Sequence, residues 1–171
     1  MNKIIISLFV LTFWSASAQD KIEWLSIEDA VKMNSKNPKP ILIDIYTNWC
    51  GWCKKMDNTT YKNQVIVNYI NKHYYPVKLN GEERRDITFQ GKKFMYKAQG
   101  RRGYHELAAA IMKGNLSYPS TAFFNKEFQL LQNIPGFMTE KRFEKLIAFF
   151  NDGNYLKLSW RDFEKKFKSS I

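Results

Sequence analysis

The alternation of apolar and polar positions along this chain predicts a protein built from interleaved strands and helices. The clearest strand is Ile41–Tyr46, a β-branched apolar run interrupted only by Asp44, which is typical of a strand buried on both faces. Residues 75–79 form a second apolar run. Residues 121–124 and 130–134 are separated by a short polar turn, which predicts a hairpin of two further strands.

Helical segments fill the spaces between these strands and often begin with capping residues. Ser26, followed three residues later by Asp29, forms a capping box before a helix that ends ahead of Pro38. A helix is predicted to begin at Cys50 and Cys53, which follow the first strand. Asn63 can cap another helix, before the second strand. Three more helices are predicted nearer the C-terminus, over residues 104–113, 139–150 and about 159–168.

Between the second strand and the hairpin lies a polar, basic segment, residues 81–103. Two short apolar runs, residues 87–89 and 94–96, flank a Gln90-Gly91 turn within it. We therefore predict an inserted hairpin at this point of an alternating α/β fold.

The first 18 residues have the pattern of a secretory signal peptide. A basic start is followed by an apolar stretch and then by the small-residue site Ala16-Ser17-Ala18. We expect cleavage near Ala18, export to the periplasm or beyond, and one mature domain of residues 19–171. The apolar stretch is short for a bilayer and no later segment approaches about 20 apolar residues, so we expect no integral membrane span. A retained N-terminal anchor helix is the alternative.

The chain is strongly basic, with a formal charge of +11 at pH 7. Its basic residues are scattered in pairs, and an exported protein rarely meets nucleic acid. We therefore expect a solvated surface that favours anionic partners, a monomer, and no nucleic-acid partner.

The chemistry of the chain concentrates in the motif Trp49-Cys50-Gly51-Trp52-Cys53-Lys54, which contains both of its cysteines. If a helix begins at Cys50, the two thiols lie on one face, about 5–6 Å apart, which a disulfide can bridge. The helix N-terminus favours a thiolate at Cys50. We predict that Cys50 is the nucleophile and Cys53 the resolving thiol.

Two other interpretations of the cysteines compete with this one. A zinc site needs further ligands, and the two histidines, His73 and His105, match no zinc-finger spacing, so we expect no metal. A structural disulfide that closes so short a loop would add little stability.

The strand, loop and cysteine motif over residues 41–54 resemble those of the thioredoxin superfamily, in a form similar to its exported reductant branch. The resemblance covers most of residues 24–150 and implies a thioredoxin-like three-layer sandwich. It implies that Asp44 is a buried carboxylate that takes a proton from Cys53, that Lys78 modulates it, and that Tyr118–Pro119 is a cis turn facing the disulfide. Gly51 and Trp52 at the centre, the insertion and the added C-terminal helix depart from the family pattern.

The resemblance also implies a function. We expect an exported thiol–disulfide oxidoreductase that reduces disulfide-containing proteins through a Cys50–Cys53 cycle, without metal or organic cofactor, and takes electrons from a membrane thiol reductant. A disulfide donor or isomerase is the alternative direction, and a non-catalytic binding module the alternative class.

Several residues around the motif are expected to contact substrate. Trp49 and Trp52 flank the reactive pair on a loop, so at least one should be exposed. Gly51, Tyr118 and Pro119 complete the expected substrate-binding set. His105 is expected to be a surface or packing residue rather than a catalytic base.

Overall fold

A computed structural model describes residues 21–151 and 153–171. Its helices are α1 Ile27–Asn34, α2 Gly51–Asn58, α3 Gln64–His73, α4 Glu106–Ile111, α5 Glu140–Asn151, α6 Asn154–Lys157 and α7 Trp160–Lys166, with a 3-10 turn at Thr60–Lys62. Its strands are β1 Ile41–Tyr46, β2 Tyr75–Asn80, β3 Ile87–Phe89, β4 Lys92–Phe94, β5 Tyr96–Gln99, β6 Arg102–His105, β7 Ser120–Phe124 and β8 Leu130–Pro135. The predicted signal peptide, residues 1–18, lies outside the described residues.

A mixed four-stranded sheet in the order β2-β1-β7-β8 forms the centre of the molecule. Strand β1 runs parallel to β2, with Asp44 opposite Lys78, and antiparallel to β7, with Asp44 opposite Thr121. Strand β8 pairs antiparallel with β7 at the edge. This arrangement confirms the predicted α/β sandwich with its central mixed sheet.

Both faces of β1 are buried, which explains its unbroken apolar sequence. Ile43 and Ile45 pack into a cluster with residues of α1 and α4 on one face of the sheet. Leu42 packs on the other face with a cluster that includes Met56 and Phe143. Burial of each such side chain contributes about 1.5–3 kcal/mol, so β1 stabilises the packing on both faces of the sheet.

The insertion contains two hairpins rather than the single one predicted. The expected hairpin forms from β3 and β4 around Gln90-Gly91. A second one, β5 and β6, turns at Gly100, which adopts a φ of 59°. Its side chains are mostly exposed and polar, so no apolar alternation marks it in the sequence.

The second hairpin also changes where the next helix begins. Tyr104 and His105, which we expected to be helical, belong to β6, and α4 begins at Glu106. His105 caps this helix, because its Nδ1 accepts a hydrogen bond from the Leu107 amide at 3.2 Å. The His105 amide donates to the Gly81 carbonyl at 2.7 Å, so the two ends of the insertion meet.

Helix α5 packs with α2 and α3 on one face of the sheet, and α7 packs on α5. Helix α5 begins one residue later than predicted, and α7 is shorter than the predicted helix and begins at the expected Ser159 cap. The short helix α6 between them was not predicted. Across residues 21–151 and 153–171, every helix is too short or too polar to cross a bilayer.

Candidate active site

Cys50 and Cys53 form a disulfide at the start of α2. Cys50 is the N-cap of this helix, and its Sγ accepts a hydrogen bond from the Cys53 amide at 3.0 Å. The two Cα atoms are 5.3 Å apart, and only 4% and 3% of the two residues is exposed. Gly51 between them is exposed, and a Cβ there would meet nothing within 4 Å. The sulfurs therefore lie just beneath an open part of the surface.

Trp49, the residue before Cys50, is 49% exposed and contacts the insertion. Its indole N–H donates to Glu82 Oε1 at 3.0 Å. The Arg102 guanidinium lies over its ring, 4.4 Å from the centroid, and the Tyr118 ring meets it edge-on at 5.9 Å. Strand β6 therefore reaches the cysteine loop, a contact that the sequence analysis did not predict.

Trp52, the residue before Cys53, is 58% exposed on the opposite side of the pair. Its ring lies 5.5 Å from that of Phe137. The Lys55 ammonium lies 4.9 Å from the Trp52 ring centroid and 5.2 Å from that of Phe137. Each cysteine thus follows an exposed tryptophan whose ring carries a cation.

The Tyr118–Pro119 peptide bond is cis, as the resemblance implied, and leads into β7. Tyr118 contacts Trp49, so this turn lies beside the cysteine loop. The Tyr118 ring also covers Gly81, where a Cβ would lie 2.4 Å from the phenol oxygen. Burial, and then the negative charge of Glu82, raise the pKa of Tyr118.

Asp44 is buried at the centre of the sheet, with 1% of its surface exposed. Its carboxylate accepts a hydrogen bond from Tyr61 Oη at 3.0 Å and forms an ion pair with Lys78 Nζ at 2.7 Å. Burial raises the pKa of Asp44, and the Lys78 charge opposes this rise. Burial and the Asp44 charge also raise the pKa of Tyr61 well above its usual value.

Lys78 is shared by two carboxylates, because it also forms an ion pair with Asp57. Although burial acts to lower it, the pKa of Lys78 is raised by these two acidic partners. Asp57 lies four residues after Cys53, so the two share a face of α2 and the cluster lies on the Cys53 side of the helix. Three rings surround the ammonium at 4.8–5.2 Å, those of Trp24, Tyr46 and Tyr61.

Asp57 and Tyr61 belong to this cluster, although neither is predicted from the sequence as a site residue. The spacing of Asp57 from Cys53 was a usable signal for the first. No local signal marks Tyr61, which comes from the 3-10 turn after α2. A cleft of about 490 Å³ opens beside the cluster and is lined by Asp57, Tyr61 and Lys78 among others. Lys78 therefore stands between this cleft and the buried Asp44.

His105 lies away from this chemistry. It is fully buried and caps α4, and burial lowers its pKa. Within the described ranges, no three His, Cys, Asp or Glu side chains are grouped as a metal site requires.

The mixed sheet, the cysteine pair at the N-terminus of α2 and the cis Tyr118–Pro119 turn beside it define a thioredoxin-like fold with a redox-capable cysteine pair. Comparison with known protein families identifies the family. The chain belongs to the family Thioredox_DsbH, described as a protein of unknown function, DUF255, whose family model matches residues 10–152.

Two curated relatives show how this domain occurs elsewhere. An uncharacterised protein of Archaeoglobus fulgidus is 26% identical over 132 residues, which is 75% of this chain and 92% of the relative. An uncharacterised Caenorhabditis elegans protein is 25% identical over 88 residues, which is 51% of this chain. The matched segment spans only 12% of that relative's length.

Solved structures share the fold. A structure described as DsbH oxidoreductase superimposes with a TM-score of 0.56 and 19% identity, covering 90% of this chain and 96% of that one. A structure described as a putative disulphide-isomerase from Bacteroides thetaiotaomicron gives a TM-score of 0.56 and 20% identity, covering 80% and 98%.

Proposed function

We propose that this protein is an exported reductant of protein disulfides that works through a Cys50–Cys53 dithiol–disulfide cycle. The observation that carries the proposal is the disulfide at the N-terminus of α2, which lies next to the exposed Gly51 and between two exposed tryptophans. The open space at Gly51 gives a substrate room to reach the pair.

The cycle transfers two electrons from the protein dithiol to the substrate disulfide. In the reduced protein, the Cys50 thiolate attacks one sulfur of a substrate disulfide, so a Cys50–substrate bond forms and the substrate's own S–S bond breaks. The released substrate thiolate takes up a proton. The Cys53 thiolate then attacks Cys50 Sγ, the protein disulfide forms, and the second substrate thiol leaves. The dithiol is oxidised and the substrate is reduced.

Asp44 is proposed to accept the Cys53 proton in the resolving step. Its burial and raised pKa bring the carboxyl group nearer to the working pH, as a general base requires. Lys78, in turn, modulates Asp44 through their ion pair. Asp57 places this cluster on the Cys53 face of α2, which supports the assignment.

The surface around the disulfide is proposed to bind the substrate chain. Trp49 and Trp52 supply exposed aromatic rings on either side of Gly51, and Tyr118 and Pro119 lie beside Trp49. Aromatic surfaces of this kind contribute large contact areas at low entropic cost.

The N-terminal sequence supports the proposed export, because residues 1–18 have the pattern of a signal peptide. The electron donor that we propose in that compartment is a membrane thiol reductant. A disulfide isomerase is the second candidate, which the resemblance to the Bacteroides thetaiotaomicron structure favours.

Measurement of the redox potential tests the proposed direction. The protein is equilibrated against glutathione and dithiothreitol buffers, and the fraction of free thiol is titrated. A potential near that of thioredoxin, about −270 mV, supports a reductant, and one near about −120 mV contradicts it. Turnover of a disulfide-bonded protein such as insulin, with and without Cys50→Ser, tests the activity itself.

A further inference from the structure

Two cations lie on the two tryptophans that flank the disulfide. Arg102 covers the Trp49 ring at 4.4 Å, and Lys55 covers the Trp52 ring at 4.9 Å. The cations come from distant parts of the chain, since Arg102 belongs to the inserted strand β6 and Lys55 to α2. Both residues are exposed. Positive charge is therefore held on both sides of the cysteine pair.

Neither cation forms an ion pair with a described carboxylate. Among residues 21–151 and 153–171, no carboxylate oxygen lies within 4.0 Å of Arg102 or Lys55. Some basic residues of the insertion do form ion pairs, since Lys93 pairs with Asp86 at 2.6 Å and Lys97 with Glu106 at 3.1 Å. Arg102 is instead held by its stacking on the Trp49 ring.

One acidic residue does lie at this rim. Glu82 accepts the Trp49 indole N–H at 3.0 Å, so its carboxylate lies at the ring's edge while Arg102 lies over its face. With their charged sequence neighbours included, the rim has four cations, Lys54, Lys55, Arg101 and Arg102, against two carboxylates, Glu82 and Glu83. These described residues therefore carry net positive charge.

We propose that Arg102 and Lys55 make this protein selective for disulfides flanked by acidic residues. The inference rests on the proposed function and names its substrate class. Stacking on a ring fixes the position of a cation without neutralising it. At ordinary ionic strength the field of such a cation extends over a Debye length of about 10 Å. A peptide whose cysteine lies over Gly51 brings its neighbouring residues within that range of either cation. The insertion contributes Arg102, one of the two cations responsible for this selectivity.

The test uses three disulfide-linked peptides that differ only in the residues beside the cysteine, which are Glu, Gln or Lys. Their reduction by the reduced protein is followed by stopped flow, beside hydroxyethyl disulfide as an uncharged small substrate. We expect the Glu peptide to react about tenfold faster than the Lys peptide at low salt, with the Gln peptide between them. The ratio should approach one at roughly 1 M salt.

Variants distinguish the effect of the two stacked cations from the effect of the protein's net charge. Arg102→Gln and Lys55→Gln should each reduce the Glu-to-Lys ratio about threefold. Hydroxyethyl disulfide reports separately any change that the lost charge makes in the Cys50 thiolate, which affects the three peptides equally. Arg102→Lys keeps the charge and should retain most of the preference. Lys126→Gln is the control for net charge, because it removes one exposed positive charge in the β7–β8 turn, at the end of β7 away from Pro119. Its ion pair, with exposed Glu127, is long at 3.9 Å.

Each outcome is decisive. Equal rates for the three peptides, with hydroxyethyl disulfide still reduced, overturn the selectivity and leave the proposed function intact. A loss of ratio in Lys126→Gln as large as in Arg102→Gln also overturns it, because net charge alone would then be responsible. Failure to reduce any disulfide overturns the proposed function, and this inference with it.

Discussion

Asp44 and Lys78 lie opposite each other on neighbouring parallel strands, and their side chains form an ion pair at 2.7 Å. The register of β1 and β2 alone brings them together. Because Asp44 is buried and Lys78 lines a cleft open to solvent, the pair connects the interior of the sheet with its surface. Its consequences can be measured through both stability and rate.

Asp44→Asn should fold, and its stability relative to the wild type should increase as the pH rises. The folded-state pKa of Asp44 is raised, so the folded protein holds this proton more tightly than the unfolded chain does. The free energy of unfolding of the wild type therefore falls as the pH rises from the ordinary carboxyl pKa through the raised value, and Asp44→Asn escapes this loss. Urea unfolding across this range should show a difference that shifts in favour of Asp44→Asn as the pH rises and is least favourable to it at low pH. A constant difference at every pH would contradict the prediction.

The same substitution should slow the resolving step. Loss of a general base costs on the order of 10²-fold in rate. The measurement is the rate at which Cys53 displaces a mixed disulfide on Cys50, followed from about pH 6 to 9 in both proteins. Identical profiles would restrict Asp44 to a structural role.

Asp57→Asn should shift the pH dependence of that step to lower pH. Asp57 shares Lys78 with Asp44, and its negative charge contributes to the raised pKa of Asp44. Removal of this charge lowers the pKa of Asp44, so the base is available at lower pH. Glu127→Gln, an exposed change in the distant β7–β8 turn, is the control. An unmoved profile in Asp57→Asn would sink the proposed coupling.

Cys50 should react with alkylating agents before Cys53 in the reduced protein. Its position as N-cap of α2 stabilises a thiolate through the helix N-terminus. Cys53→Ser should accumulate mixed disulfides with substrates, because only the resolving step is lost, whereas Cys50→Ser should form none. Mass spectrometry of briefly alkylated protein decides the order, and faster modification of Cys53 would refute it.

Gly103→Ala should disrupt the β5–β6 hairpin. A Cβ at Gly103 would lie 2.2 Å from the Lys97 carbonyl oxygen, a backbone atom that cannot rotate away. We expect a loss of about 1–3 kcal/mol in the free energy of unfolding. Gly51→Ala, where a Cβ meets nothing within 4 Å, should change stability by less than about 0.5 kcal/mol. Equal stability of the two variants would count against the described packing.

The elements that the sequence predicted are those with a local signature. Buried β1 has its apolar run, and α1, α3 and α7 begin at the predicted caps Ser26, Asn63 and Ser159. Strands β5 and β6 lack such a signature, because backbone pairing rather than apolar side chains defines them. The contact of Arg102 with Trp49 has no local signature either, because it joins residues far apart in the chain.

The meeting of Gly81 and His105 at 2.7 Å gives the inserted segment a narrow neck. A segment whose ends already touch can be shortened, lengthened or exchanged at little entropic cost to the rest of the chain. The exchangeable part is the outer hairpin, β5 and β6, because Ile87, Phe89 and Phe94 of the inner hairpin are buried in the core of the sheet. Replacing β5 and β6 alone would change the surface beside Trp49 and leave the core beneath intact.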